Sequence, residues 1–369
     1  MYQNILDPII IILICGSLIL LSFLEITNPL KVNRRANLWF GLFLLLWSTF
    51  WMDELLEIIN LKFLSGTFFF IDFIQFLTPI AFYLSVINFI SPNFKFQIKD
   101  FKFLILPFTF ITFLILQYNA SYDNINKYKL VLTGLMVFQA LLYTIISYRK
   151  IIIHQKKILL FSSDTTDINL NWLEYIIILI LLICIIITSY TLFVNPLEQN
   201  IYINIIFLLA IYAIAYYSLK QKEIFPLNKK QRSEITFISE EDVNDIKKKI
   251  VSDEDLVQIK AKLHLLMLDQ KPYLDSDLNL IKLAELINTT PHQLSYVINS
   301  GFNENFFLFV NKYRIEKAKK LLLEYDFNNL SILGIAFESG FNSKTTFNST
   351  FKKITNQTPS DFKKRSTTL

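Results

Sequence analysis

Two short stretches of this chain carry polar side chains on what would be the free face of an otherwise apolar helix. In the first, His292, Ser295, Tyr296 and Asn299 alternate with Leu294, Val297 and Ile298; in the second, Lys344, Thr345, Asn348, Ser349 and Lys352 alternate with Phe347, Thr350 and Phe351. At about 3.6 residues per turn the apolar set faces inward and the polar set outward. Such an outward set suits the edges of base pairs: an Asn amide engages adenine at two atoms, hydroxyls are short polar readers, and Lys reaches guanine or phosphate. Taken singly, each also reads as a solvated helix face. A further set, Asp53, Glu54, Glu57 and Asp72, lies inside apolar runs, where an ionisable group costs about 2.5–3.5 kcal/mol at mid-membrane on insertion scales. These four either line an outward-facing pocket for a small-molecule, lipid or ion signal, or simply reach interfacial water, with Asp72 satisfied by a polar neighbour.

Other chemistry is absent from the pattern. There is no H-E-x-x-H, P-loop, G-x-S-x-G or kinase motif set, so no enzyme, cofactor or metal site is implied. Cys15 and Cys184 both sit in long apolar runs, the setting of a small buried thiol. His154, in a Lys-rich loop, reads as solvated or facing lipid headgroups, and His264 lies on a helix beside Leu263 and Leu265 with nothing to suggest a dyad.

The elements that must position these residues divide near Lys220. Of 369 residues, 53% are hydrophobic and 18% charged, with a mean hydropathy of +0.41, which excludes a wholly soluble or disordered chain. Residues 1–219 hold 13 Lys or Arg and 12 Asp or Glu, whereas residues 220–369 hold 23 and 19. Seven apolar stretches before the break are long enough to span, at about 8–24, 37–59, 64–90, 102–118, 130–148, 172–194 and 201–219. The third tilts or breaks near Pro79. Ten Lys or Arg, from Lys31, Arg34 and Arg35 to Lys156 and Lys157, occupy one set of loops, against Lys62, Lys127 and Lys129 in the other. The positive-inside rule then places the N-terminus outside and everything after Lys220 in the cytoplasm. Trp39, Trp51 and Trp172 fall near span ends, as interface anchors do.

Residues 220–278 read as a juxtamembrane connector. Lys220, Lys222, Lys229, Lys230 and Arg232 suit anionic membrane lipid. Ser239 and Ser252, each followed by acidic residues, begin two helices. The second carries a stripe, Leu256, Ile259, Leu263 and Leu266, able to pack on the next domain or on a second subunit.

From residue 279 the pattern sharpens. Asn279 caps a helix with Leu280, Leu283, Ala284 and Ile287 inward, and Thr290-Pro291-His292-Gln293 opens a second with a capping box. This helix-turn-helix spacing recurs about 52 residues later: Ile332, Ile335 and Ala336, the turn Gly340-Phe341, and a helix from about Ser343. Residues 304–325 read as one connecting helix of about 22 residues, hence about 33 Å, close to the roughly 34 Å between successive major grooves.

The run Ile332-Leu-Gly-Ile-Ala336, Ser339-Gly-Phe341, Ser343, Phe347, Phe351-Lys-Lys353 and Thr358-Pro359, with Tyr313-Arg314 and Lys317-Ala-Lys-Lys-Leu321 before it, resembles the DNA-binding domain of AraC/XylS-type transcription activators. The resemblance covers about 275–365. It implies a bipartite domain that binds double-stranded promoter DNA, commonly with RNA polymerase as partner, and it implies that the outward residues above face the major groove. Asn356 stands where that family usually has Gly; Asn tolerates the left-handed conformation. Between Lys344 and Arg365, six Lys or Arg stand against Asp361, which suits phosphate.

These readings combine into an all-α protein: a seven-helix transmembrane bundle (1–219), a helical connector (220–278) and a two-unit DNA-binding domain (279–369). The expectation is a membrane-tethered one-component transcription regulator in a bacterial inner membrane, responding to a small-molecule or lipid signal, with a homodimer inferred from the logic of switching. A transporter or membrane enzyme carrying a regulatory DNA-binding domain is the alternative; it calls for paired polar groups or broken helices near mid-membrane.

Overall fold

In the computed structural model, residues 3–59, 68–92, 94–165, 168–193, 201–221, 251–323 and 331–367 are described, and among them all regular structure is helical. In the long apolar runs, a helix satisfies every backbone polar group within the segment itself. The chain divides into two units, Met1–Ile153 with Leu170–Ile224, and His154–Asn169 with Phe225–Leu369.

The first unit comprises α1 (Gln3–Thr27), α2 (Arg34–Ser48), α3 (Met52–Ile58), α4 (Phe68–Ile90), α5 (Ile105–Tyr118), most of α6 (Tyr122–Ile158), α7 (Asn171–Phe193) and α8 (Ile201–Lys220). Helices α1 and α2 touch where Gly41 has no side chain: a Cβ there would lie 2.6 Å from Ile26 Cγ1 and 2.9 Å from the Ser22 carbonyl. The Ser22 hydroxyl donates to the Gly41 carbonyl at 2.8 Å. Phe43 stacks on Trp47 and packs against Phe82, while Phe40 and Phe89 meet Trp172 edge-on.

Five described segments are long and apolar enough to cross a membrane: Leu6–Thr27, Phe70–Ile90, Asp100–Tyr118, Asn124–Ile158 and Ile203–Lys220. The seven expected spans differ from this at two places. The stretch read as one span at 37–59 is two helices separated by the 3-10 turn Thr49–Trp51. Ser48 and Thr49 bond back to the Leu45 and Leu46 carbonyls there, and such back-bonding competes with a regular ladder. Helix α7 has 23 residues, several of whose side chains lie outside the described set. Helix α4, for its part, continues through Pro79.

Two of the Trp residues read as interface anchors are interior. Trp51 is buried and donates to Asn204 at 3.2 Å; Trp172 is buried and donates to Gln221 at 2.7 Å. Each indole N–H has an amide partner inside the bundle, which removes the reason to sit among headgroups.

The second unit comprises α9 (Asp253–Asp269), α10 (Leu280–Leu286), α11 (Pro291–Tyr296), α12 (Phe306–Leu323), α13 (Ile332–Glu338), α14 (Lys344–Thr355), α15 (Pro359–Thr367) and the segment His154–Asn169. It has two cores joined by α12. Phe306, Phe309 and Val310 at its start pack with α9, α10 and α11, whereas Ile315, Ala318, Leu321 and Leu322 pack with α13 and α14. Leu263 and Leu266 of the connector stripe belong to the first core. The helix expected from Ser239 and the basic stretch from Lys222 lie outside the described residues.

Candidate nucleic-acid interface

Local chemistry starts each helix that matters. The side chains of Ser252, Asn279, Ser331 and Ser343 accept the N3 backbone N–H of α9, α10, α13 and α14. Thr290 and Gln293 form the reciprocal capping box at α11, with Pro291 at its first position. Each such cap contributes roughly 1 kcal/mol. The turn after α10 uses Asn288 at φ 54°, and α14 ends on Asn356 at φ 59°, the left-handed conformation the sequence anticipates.

Gly340 closes the turn between α13 and α14 at φ 88°. A Cβ there would lie 2.3 Å from the Tyr273 carbonyl oxygen and 2.9 Å from Leu274 Cα. Only glycine lets the second unit's turn press onto that backbone.

Behind α14, Phe347 and Phe351 are wholly buried and meet Phe341 and Phe362 edge-on. Its outer face presents Lys344, Thr345, Ser349 and Lys352 exposed and Asn348 half-buried. Ser349 also donates to the Thr346 carbonyl at 3.1 Å. Helix α14 thus has a fixed apolar back and a polar front.

The first helix-turn-helix departs from expectation at one residue. His292, Tyr296 and Asn299 are partly exposed, but Ser295 is 5% exposed and belongs to the inner face. It lies about 60° around the helix from Ile298, and α11 runs straight into the π-helical turn Val297–Gly301, which widens the buried arc. Ser295 is thus withdrawn from the reading set. The connecting helix also begins two residues later than expected, at Phe306; its described part, Phe306–Leu323, has 18 residues, or about 27 Å. Asn305 caps it by accepting the Leu308 N–H at 2.9 Å, so residues 304–305 lie before the helix.

Arg314, part of the Tyr313-Arg314 pair in the motif run, is 1% exposed. Its Nε donates to the Tyr273 carbonyl at 2.7 Å and its Nη2 to the Asp275 carbonyl at 2.8 Å, and its guanidinium lies over the Phe341 ring. Burial lowers its pKa to about 10, against the opposing pull of Asp164, Asp275 and Asp277. It locks the first core to the second rather than touching a ligand.

His154 is likewise buried, 2% exposed, and donates from Nε2 to the Ile168 carbonyl at 3.1 Å. The solvated role expected of it does not hold, because the segment it begins folds into the second unit. Exposed His264 meets the Tyr313 hydroxyl at 3.2 Å.

In the first unit, Asp53, Glu54 and Glu57 share α3 and Asp72 lies on α4. Asp7, Asp53 and Glu57 are near enough to act on the Glu54 charge, and Asp53 and Lys129 on that of Asp72. Glu54 and Asp72 are half-buried while Asp53 and Glu57 are exposed.

Two half-domains, each with a short helix packed behind a second that shows a polar face, joined by one helix, make a bipartite helix-turn-helix domain, the arrangement that the resemblance to AraC/XylS-type regulators implies. A family described as a helix-turn-helix domain matches residues 283–365. Over 87 residues the chain is 34% identical to an uncharacterized HTH-type transcriptional regulator of Staphylococcus aureus strain COL, covering 24% of this chain and 11% of that protein. A second S. aureus protein of the same description is 36% identical over the same length, with the same coverage. The match thus spans about a tenth of the curated relatives' length. No solved structure matches the chain significantly.

Proposed function

We propose that this chain is a membrane-tethered one-component transcription regulator, in which α11 and α14 enter major grooves of double-stranded promoter DNA. The observation that carries the reading is the face of α14, whose Lys344, Thr345, Asn348, Ser349 and Lys352 are held outward by two wholly buried phenylalanines. Of the first helix, His292, Tyr296 and Asn299 join them. Phosphate affinity comes from Lys353, Lys363, Lys364 and Arg365 around the same end of the domain.

Tethering is supported by the five apolar helices, and orientation by the ten-to-three distribution of basic residues, with the domain in the cytoplasm of a bacterial cell. Asp53, Glu54, Glu57 and Asp72 are the signal site we propose, for a small molecule or lipid. A homodimer and contact with RNA polymerase complete the scheme. The test is selection of DNA by the full chain in lipid nanodiscs, followed by a salt titration. Affinity should fall steeply with salt, since Lys and Arg displace condensed counterions. Failure to enrich any sequence from a random pool defeats the reading.

A further inference from the structure

The segment between α6 and α7 is built into the second unit. Ile158 and Phe161 belong to the first apolar core, with Leu263, Leu280, Leu294 and Phe306. Six hydrogen bonds join residues 159–163 to residues 278–314. The Leu280 N–H, first in α10, donates to the Phe161 carbonyl at 2.9 Å, and the Phe307 N–H, in the first turn of α12, to the Leu159 carbonyl at 3.0 Å. The Ser163 hydroxyl donates to the Leu278 carbonyl at 2.5 Å. The Ser163 carbonyl accepts Asn311 Nδ2 at 3.0 Å and Arg314 Nη1 at 3.4 Å, and Arg314 Nη2 donates to the Ser163 hydroxyl at 3.1 Å. Ser162 and Asn279 pair as an isolated antiparallel bridge.

These contacts replace what the domain lacks. A helix leaves its first N–H groups without partners, and here two loop carbonyls fill that role, beside the caps from Asn279 and Asn305. Asn311 and Arg314 are buried; without the loop Asn311 would keep the Phe307 carbonyl as acceptor, and Arg314 the Tyr273 and Asp275 carbonyls. Leaving a polar group unmet is destabilising, and the Leu280 and Phe307 N–H groups, which would lose the loop carbonyls, lie on α10 and α12, two helices that share the first core with α11. The neck of the segment is tied by His154 to Ile168 and by Gln155 to the Asn169 carbonyl at 3.2 Å.

We propose that residues 159–164 are a tethered ligand of the DNA-binding domain: seated, they hold the first helix-turn-helix unit in its DNA-reading form, and withdrawn by rearrangement of α6 and α7, they release it. The proposal rests on the reading of the domain as DNA-binding and names how that binding is regulated. It makes the seat formed by Leu278, Leu280, Phe307, Asn311 and Arg314 the point where the membrane region acts, since a signal works only through contacts that differ between two states.

The test uses the full chain in nanodiscs with DNA selected by the wild type. One variant replaces residues 159–164 with Gly-Ser repeats of equal length. A second carries Ser162→Cys and Asn279→Cys in a chain with Cys15→Ala and Cys184→Ala, compared with itself oxidised and reduced. The Gly-Ser variant should bind at least tenfold more weakly, lose protection of the bases under α11 while keeping those under α14, and exchange amides faster over 280–301 but not over 344–355. Oxidation of the double-cysteine chain should slow exchange over 280–301 and leave DNA affinity equal to or tighter than the reduced form. A Gly-Ser variant indistinguishable from wild type, equal loss in both units, or a crosslink that weakens DNA binding overturns the proposal. Wild type that binds no selected DNA while the loop still protects 280–301 would instead defeat the functional reading and leave the seating intact.

Discussion

Gly340→Ala should be the most damaging single-atom-scale change in the second unit. The residue sits at φ 88°, and its missing Cβ would stand 2.3 Å from the Tyr273 carbonyl oxygen. That oxygen cannot retreat freely, because it accepts Arg314 Nε at 2.7 Å. Positive φ costs an L-residue about 1–2 kcal/mol, and an overpacked contact that must be relieved by backbone movement about 1–3 kcal/mol more. The sum, about 2–5 kcal/mol, is a large part of a typical domain stability of about 5–15 kcal/mol. Gly301→Ala is the matched control: its nearest neighbour is Lys260 Cδ at 3.5 Å, ordinary contact with a flexible chain. Hydrogen exchange of the α14 amides in the full chain measures the opening free energy of both variants. Exchange in Gly340→Ala should accelerate about 30-fold to several thousand-fold, with little change in Gly301→Ala. Equal behaviour of the two would refute the reasoning that this turn is held by close approach.

Other outcomes follow from the same structure. Lys352→Ala should weaken binding to all DNA sequences and lower the salt slope by about one, whereas Asn348→Ala should cost about 1–3 kcal/mol at particular base pairs, both read by anisotropy titration on variant operators. Reporter fusions after Glu25, Asp100, Asp164 and Lys222 should report cytoplasm, and those after Asn60, Asp123 and Glu198 the exterior; a reversed pattern rejects the topology. Asp72→Asn should alter the response of reporter transcription to the stimulus without changing membrane level. Burial tends to raise the Asp275 pKa, but its bond to Lys282 at 3.0 Å, the Asp277 N–H and the Arg314 charge outweigh this and hold it below 3.8. Its contribution to stability is therefore present above that pH and lost as pH falls through the folded value, a dependence that Asp275→Asn should remove from acid unfolding curves.

What was legible in the sequence was local. Caps at Ser252, Asn279 and Thr290, the left-handed Asn356, and the buried face of α14 follow from short-range rules, and each appears as expected. Errors arise where distant residues decide. Trp51 and Trp172 look like interface anchors until Asn204 and Gln221 arrive from α8 and its end. Ser295 is drawn inward by a π turn that periodicity does not encode. The partners that bury Arg314, Ser163 and Tyr273, are 151 and 41 residues away, beyond the reach of any local pattern. The loop itself left one trace: Leu159-Leu160-Phe161, three apolar residues past the basic cluster at Lys156 and Lys157, where a solvated loop has no use for them.

The placement of that loop also orders events in time. Ser163 leaves the ribosome 151 residues ahead of Arg314, a delay of about 8–30 s at bacterial-to-eukaryotic synthesis rates of about 5–20 residues per second. Throughout that interval Phe161 has no core to enter. If α6 and α7 insert as proposed, they do so before their partner exists, and the first half of the domain closes only onto a loop already fixed at both ends. A nascent chain that fails to insert would then lack a properly presented loop and complete its domain poorly, so the capacity to read DNA would be acquired only by molecules already in the membrane.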